Sequence, residues 1–211
     1  MITFARRGFI VGGTTALSMA TFSPLYAAGQ FATPPATEGP FYPDRLPLDQ
    51  DNDLATVSGR SGTAKCTIFH LGGTVSDVAG KPMAGVRVEI WQCDANGVYL
   101  HSADSGRRQF DPNFQGFGHT FSTRTGEYRF RTILPVPYSS RAPHIHFRIT
   151  ASNGRTLTTQ MYLADHPGNE RDFLYRRLAT AEARRSVSVA LSAAPDQQAG
   201  AVKGRFDIVL G

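Results

Sequence analysis

The sequence reads PVPYSSRAPHIHFRI at residues 135–149, and both the predicted fold and the predicted site follow from this stretch. Apolar and polar residues alternate from residue 144 onwards, which predicts a β-strand over residues 144–150. His144 and His146 are separated by one residue, so in a strand both imidazoles point to the same face. Two imidazoles beside a tyrosine and an arginine, in a loop punctuated by prolines, predict a metal-binding corner.

The rest of the chain has the composition of an all-β protein. Its apolar segments are short and rich in β-branched and aromatic residues, and it contains 21 glycines and 13 prolines. These features favour a two-sheet β-sandwich over a helical bundle, and a length of 211 residues suits one domain with a sizeable core. Further strands are predicted at residues 66–75, 86–92, 157–163, 186–191 and 205–210, with a hairpin-like pair at 121–122 and 126–133. One short C-terminal helix is predicted at residues 169–178.

The N-terminal segment, residues 1–28, has the layout of a signal peptide. Arg6 and Arg7 precede a moderately apolar run that is too short to span a membrane, and Ala27 and Ala28 end the segment. It resembles a twin-arginine export signal, with Ala5 where Ser or Thr usually stands; an ordinary secretory signal is the alternative. We therefore expect an exported protein, periplasmic or extracellular. The loss of two arginines from a net charge of +5 gives +3, and no basic stripe is visible, so no nucleic-acid partner is expected.

Residues 29–65 are rich in proline, threonine and glycine and show no helical or strand period. This composition predicts an extended N-terminal arm and loop that precede a catalytic domain at residues 66–211. The two cysteines, Cys66 and Cys93, flank predicted strands. Export permits a disulfide between them, but the sequence does not show whether the two Cα atoms come close enough, so the pairing stays open.

An ordered set of motifs runs through residues 66–211. The motifs are Gly73-Thr74-Val75-Ser76-Asp77 with Gly80-Lys81-Pro82, Val88-Glu89-Ile90-Trp91-Gln92 through Gly97-Val98-Tyr99, Asp111-Pro112-Asn113-Phe114, residues 128–133, Pro135-Val136-Pro137-Tyr138, Arg141-Ala142-Pro143-His144-Ile145-His146-Phe147, Thr159-Gln160-Met161-Tyr162 and residues 205–210. In this order they resemble the intradiol ring-cleavage dioxygenases, most of all the protocatechuate 3,4-dioxygenase β-subunit. The segment EGPFY at residues 38–42 resembles the stretch that precedes the core in these enzymes.

The resemblance implies one non-haem ferric iron per chain, held by Tyr99, Tyr138, His144 and His146. The chemistry of these donors agrees with that implication. Phenolates are hard anionic oxygen donors that favour iron in the ferric state, and imidazole is compatible with iron. Structural zinc, by contrast, is usually held by cysteine and histidine.

The resemblance also implies the reaction and the residues that carry it. Both atoms of O2 enter a catechol, such as protocatechuate or catechol itself, and the ring opens between its two hydroxyl-bearing carbons to a cis,cis-muconate-type diacid. Arg141 would stabilise negative charge on the ring, and Gln160 would hydrogen-bond to the same part of the substrate. Tyr138 would be displaced by the catechol and then accept a substrate proton.

One stretch departs from the family pattern. Only Ser139 and Ser140 separate Tyr138 from Arg141, whereas well-known members have a longer loop with an aromatic residue at this point. That loop lines the substrate mouth, so the substituents of the catechol stay open. The choice between a homo-oligomer and a monomer also stays open.

Two other classes of function compete with this interpretation. The first is a secreted, non-catalytic β-sandwich that binds carbohydrate or protein, because a fold alone does not define a function. The second is a hydrolase or oxidase with zinc or copper on His144 and His146. That site needs a third donor, for which the candidates are His101, His119 and His166.

Overall fold

Two five-stranded sheets make up the fold in the computed structural model, which describes residues 29–211. The strands are β1 Ile68–Asp77, β2 Arg87–Trp91, β3 Phe117–Phe121, β4 Glu127–Ile133, β5 His144–Thr150, β6 Thr156–Leu163, β7 Ser188–Val189, β8 Leu191–Ala193, β9 Val202–Arg205 and β10 Ile208–Leu210. One α-helix, α1 Ala181–Ser186, and three 3-10 turns complete the secondary structure of the described part. The predicted all-β sandwich with one short C-terminal helix is confirmed. The predicted signal at residues 1–28 lies outside the described residues.

The core of the sandwich lies between the two sheets. Phe69 and Leu71 of β1 point towards Ile145 and Phe147 of β5, and all four side chains are buried. Phe147 also packs against Phe206, with ring centroids 4.9 Å apart. Because side chains alternate along a strand, the faces of the sheets that point away from this core remain available for a site.

The first sheet is built around β1. This strand pairs antiparallel with β4 on one side and parallel with β9 and then β10 on the other, and β8 extends the sheet beyond β9. The predicted strand at residues 205–210 is therefore two strands, interrupted at Phe206 and Asp207. The strand is interrupted because a side chain replaces a backbone acceptor. The Thr74 amide donates to the Asp207 carboxylate at 2.8 Å instead of to a strand carbonyl.

The second sheet has the order β3-β2-β5-β6-β7, with β5 at its centre. The predicted hairpin-like pairing of residues 121–122 with 126–133 is wrong, since β3 pairs with β2 and β4 belongs to the first sheet. The strand begins earlier than predicted, at Phe117, whose buried ring lies opposite Trp91. Burial of Phe117 outweighs the short chain connection between β3 and β4 and assigns them to different sheets.

The predicted helix at residues 169–178 is also wrong in position. Two 3-10 turns, Asn169–Arg171 and Tyr175–Arg177, occupy this stretch, and α1 begins after them, where Thr180 caps it by accepting from the Ala183 amide. The Asp172 carboxylate accepts from the amides of Leu174 and Tyr175, which a continuous helix would bond to carbonyls. A side chain that competes for backbone amides in this way ends a helix.

The N-terminal arm crosses both sheets. Residues 29–67 contain no strand of either sheet, and their amides bond to strand carbonyls at single points. The Thr33 amide donates to Val209 of the first sheet, and the Ala36 amide donates to Thr158 of the second. This path carries residues 37–42 across the outer face of the second sheet.

Cys66 is exposed and Cys93 is buried, and the structure holds them as two separate thiols. Among residues 29–211, no helix has the length and apolar character needed to cross a membrane.

Candidate metal centre

Three of the four predicted ligands converge on one point, and the fourth lies beside them. The Tyr99 hydroxyl is 3.4 Å from His144 Nε2 and 3.2 Å from His146 Nε2, and the two imidazole nitrogens are 3.2 Å apart. The Tyr138 ring meets the Tyr99 ring edge-on, with centroids 5.3 Å apart. The structure therefore brings together residues that are up to 47 positions apart in the sequence.

Strand β5 places both histidines on the outer face of the second sheet. Ile145 and Phe147 alternate with them and point into the core, as the period of a strand requires. His146 lies opposite Trp91 in the register of the sheet, and the indole stacks on the imidazole with centroids 4.9 Å apart. Both histidines are almost fully buried, so their ring orientations are set by packing.

The two tyrosines come from loops. Tyr99 follows the turn after β2 and is held by its own amide, which donates to the Asp104 carboxylate at 2.9 Å; its ring is buried. Tyr138 begins a tight turn in which the Arg141 amide donates to the Tyr138 carbonyl at 2.8 Å. Ser139 in this turn has a φ of 52°, and both serines are exposed. One tyrosine is thus fixed in the interior, while the other is half-buried at the surface.

Burial keeps both imidazoles neutral. Desolvation, with a smaller contribution from the nearby Arg141 cation, lowers the pKa of His144 to about 4. The pKa of His146 is lowered well below its ordinary value, by desolvation first and then by His144 and Arg141. His144 Nδ1 donates to the Ala142 carbonyl at 2.6 Å, which leaves the lone pair of Nε2 directed at Tyr99 and His146. Neutral imidazoles with a free lone pair are the form that binds a metal.

Burial also favours the neutral form of the Tyr99 phenol, but here the neutral form is the protonated one, which does not suit a metal ligand. Burial raises its pKa well above the ordinary value, so the protein by itself stabilises the protonated form. A bound cation reverses this balance, because a metal ion is the largest local charge at such a site and deprotonates its ligands. A set of two phenols and two neutral imidazoles fits a hard trivalent ion such as ferric iron. Among the described residues, His146 Nδ1 is buried without a hydrogen-bond partner, so the polar contacts of this ring are those of Nε2 with His144 and Tyr99.

The three other candidate donors contact groups other than the two imidazoles, and His101 also meets the Phe41 ring edge-on, with centroids 5.5 Å apart. His101 lies 3.9 Å from the Asp44 carboxylate, His119 packs edge-on against Phe121, and His166 accepts from the Gly168 amide. Across residues 29–211, no group of three or more His, Cys, Asp or Glu side chains is arranged to hold a metal. The described structure therefore gives no support to the zinc or copper hypothesis.

Arg141 and Gln160, predicted to act on the substrate, are in direct contact. Arg141 Nη2 donates to Gln160 Oε1 at 2.6 Å and to the Tyr162 hydroxyl at 2.9 Å. Gln160 lies opposite His146 in the register of β5 and β6, and its own amide donates to the Thr37 carbonyl of the arm. A fixed cation and an amide thus lie beside the candidate ligands.

Residues of the arm form a wall that the sequence analysis did not assign to the site. Phe41 stacks on the Tyr99 ring with centroids 4.8 Å apart and meets the Tyr138 ring edge-on. Gly39 lies against His146, because a Cβ added to it would be 3.3 Å from the imidazole Cε1. The EGPFY segment, interpreted from the sequence only as a stretch that precedes the core, is the signal that could have indicated this role, but its contact partners are distant in the sequence.

Replacing Gly39 with alanine tests whether the arm supports the centre. The φ of Gly39 is +75°, so any other residue costs about 1–2 kcal/mol there, and the new methyl group presses on His146. Gly154→Ala is the matched control, since its φ is +83° and its Cβ meets nothing within 4 Å. We expect similar losses in the free energy of unfolding, and weaker iron retention in Gly39→Ala alone, measured by iron content after dialysis. Equal iron content in the two variants would show that the arm does not support the centre.

Comparison with known proteins places this chain in a family. The sequence profile described as Dioxygenase matches residues 37–211, which is most of the chain. The chain is 34% identical over 169 residues to the protocatechuate 3,4-dioxygenase beta chain of Burkholderia cepacia, covering 76% of this chain and 71% of that one. The protein therefore belongs to the intradiol ring-cleavage dioxygenase family, as its motifs indicated.

Other relatives agree in fold and sequence. The chain is 34% identical over 174 residues to hydroxyquinol 1,2-dioxygenase of Rhodococcus opacus, covering 74% of this chain and 54% of that one. The dioxygenase domain of a dioxygenase and carbohydrate-binding fusion from Streptomyces sp. SirexAA-E superimposes with a TM-score of 0.65 at 29% identity, covering 85% of this chain and 98% of that one. The matched part of this chain spans about half the length of the hydroxyquinol and catechol 1,2-dioxygenases.

Proposed function

We propose that this protein is a ferric intradiol dioxygenase that opens the ring of a catechol between its two hydroxyl-bearing carbons. The observation that carries the proposal is the convergence of Tyr99, His144 and His146 within 3.4 Å, with Tyr138 beside them. The named relatives include protocatechuate, catechol and hydroxyquinol dioxygenases, which supports the general reaction class. The alternative of a non-catalytic binding module is not favoured, since these relatives are enzymes.

Tyr99, Tyr138, His144 and His146 would hold the ferric iron. When bound, this ion would supply the Lewis-acid chemistry that activates a catechol towards O2. The protein contributes a rigid side and a movable side to this site. Tyr99 and the two histidines are buried and packed, whereas Tyr138 is half-buried at an exposed turn. If Tyr138 holds the ion as a phenolate and its ring then swings away, the phenolate oxygen would accept a proton from a catechol hydroxyl.

Arg141 and Gln160 would act on the charge that develops in the ring. The Arg141 side chain is only 11% exposed, so its cation acts in a poorly solvated environment where electrostatic stabilisation is strong. Its Nη2 is shared with Gln160 and Tyr162, which fixes the direction of the guanidinium before substrate arrives. Both atoms of O2 enter the substrate, one C–C bond breaks, and the product is a cis,cis-muconate-type diacid.

Visible absorption of the iron-loaded protein tests this function. We expect a tyrosinate-to-iron charge-transfer band that shifts when catechol, protocatechuate or hydroxyquinol is added without oxygen. The catechol that shifts the band is then tested for O2 uptake and for the ring-opened diacid. A protein that stays colourless after iron loading would contradict the iron site, and a band that no catechol shifts would contradict the substrate class.

The reaction would take place outside the cytoplasm if residues 1–28 act as an export signal. The basic, apolar and small-residue regions of this segment support that proposal. Cell fractionation of the full chain is the direct check, and retention of the uncleaved protein in the cytoplasm would refute it.

A further inference from the structure

We propose that Asp172 is a positioning residue that orients both the Arg141 guanidinium and, through Ala142, the His144 imidazole; its role in catalysis rests on the proposed function. Asp172 is fully buried between the two 3-10 turns that replace the predicted helix. A buried carboxylate is costly unless it is paired and hydrogen-bonded. Its placement therefore needs a compensating set of donors.

Four donors surround the Asp172 carboxylate. Oδ1 accepts from the amides of Leu174 and Tyr175, which anchor it to its own loop. Oδ2 accepts from Arg141 Nε at 2.8 Å and from the Ala142 amide at 2.9 Å, which ties that loop to the segment before β5. Burial acts to raise the pKa of Asp172, but the hydrogen bonds from Tyr175, Ala142 and Arg141 outweigh it, and the pKa falls below its ordinary value. The group is therefore an ionised, fully bonded anchor.

The bond to Arg141 fixes the orientation of the guanidinium. Because Nε is held by Asp172, the planar fork directs Nη2 at Gln160 and Tyr162 on β6. The ring of Phe173, the residue after Asp172, lies under the same guanidinium at 5.4 Å. An arginine held by Asp172, Gln160, Tyr162 and Phe173 keeps one orientation. A lysine, or an arginine without these partners, does not.

The bond to Ala142 reaches a metal-ligand candidate. The Ala142 amide donates to Asp172, and the carbonyl of the same residue accepts from His144 Nδ1 at 2.6 Å. Groups that bond to the second nitrogen of a ligating histidine set its tautomer and ring orientation. One carboxylate thus holds the backbone that orients His144 and the side chain that faces the substrate.

The test compares Asp172→Asn with Asp53→Asn, a control in which the arginine-paired carboxylate is partly exposed rather than buried. Asp53 also accepts from an arginine, Arg131 at 2.9 Å, and from a backbone amide, but it is bridged to β4 of the other sheet. The first measurement is the NMR resonance of the Arg141 Nε–H in the metal-free protein, assigned by its loss in Arg141→Lys. We expect this resonance to shift or disappear in Asp172→Asn and to be unchanged in Asp53→Asn. An unchanged resonance in Asp172→Asn overturns the proposal.

The second measurement is a double-mutant cycle on the iron-loaded enzyme. We expect Asp172→Asn to lower kcat by about 10- to 100-fold with little change in KM, the cost typical of losing a group that orients a site. If Asp172 acts partly through Arg141, the loss in the variant that combines Asp172→Asn and Arg141→Lys is smaller than the product of the two single losses. Multiplicative losses, or a normal kcat in folded Asp172→Asn, overturn the proposal.

Two further measurements cover the cases in which Asp172→Asn does not fold or the wild-type protein shows no dioxygenase activity. If Asp172→Asn does not fold, Asp172→Glu, which keeps the charge but moves it by one methylene, undergoes the same measurements with the same expectations. If the wild-type protein consumes no O2 with any catechol, the proposed function fails and its catalytic part falls with it. The NMR resonance then still decides whether Asp172 orients Arg141.

Discussion

Replacing His144 or His146 with alanine is expected to remove bound iron and to abolish ring cleavage. Each imidazole nitrogen lies within 3.4 Å of the Tyr99 hydroxyl, so either change deletes one of the converging donors. The loss in metal affinity should exceed the roughly 10- to 100-fold cost of losing a group that only orients a ligand. Iron content per chain and the intensity of the visible band measure the effect directly.

His70→Ala is the control for this pair of substitutions. His70 lies on β1 of the first sheet, is partly exposed and pairs in register with Arg131, far from the converging donors in the topology. It should retain the iron content and the absorption band of the wild type. Wild-type iron content in both His144→Ala and His146→Ala would show that these residues are not ligands, and the proposed function would lose its basis.

Gly73→Ala is expected to cost at least about 3 kcal/mol of unfolding free energy or to prevent folding. A Cβ at this position would lie 1.8 Å from the Phe206 carbonyl oxygen and 2.9 Å from the Tyr128 hydroxyl. The obstacle is backbone rather than a flexible side-chain end, and that same carbonyl accepts a hydrogen bond from Tyr128. Either the interruption between β9 and β10 must move, or β1 must leave the sheet.

Gly72→Ala, at the neighbouring position, is the matched control. Its Cβ would meet the Tyr128 carbonyl oxygen at 3.5 Å, an ordinary contact distance. Because glycine is unfavourable in a strand by about 0.5–1 kcal/mol, this change should be neutral or slightly stabilising. Chemical denaturation of the two variants gives the comparison, and equal free energies of unfolding would refute the steric argument.

The strands with clear alternation were predictable from local pattern. β5 occupies residues 144–150 as predicted, because a period of two is a property of the strand itself and needs no partner. The same period places His144 and His146 on one face. The assignment of Tyr99 and Tyr138 as partners of these histidines came from the resemblance of ordered motifs, and the structure places all four side chains together.

Other features depended on contacts between residues distant in the sequence. The helical period at residues 169–178 was a real local signal, but the buried Asp172 carboxylate captures two of the amides that a helix needs. β3 pairs with β2, which buries Phe117 opposite Trp91, rather than with β4, the next strand along the chain. In both cases a tertiary interaction outweighs a local preference of similar or smaller size.

By itself the sequence determined the sandwich class, the shared face of the two histidines and the residues to examine as ligands. The first two follow from composition and side-chain periodicity, and the full ligand set follows from the resemblance of the ordered motifs to the family. Only the tertiary structure decided that the arm lays Gly39 and Phe41 against the centre, and that Asp172 joins Arg141 to the segment before β5. Those contacts form because folding buries groups that are far apart in the chain. A local sequence pattern does not indicate which distant residue will pair with a buried charge.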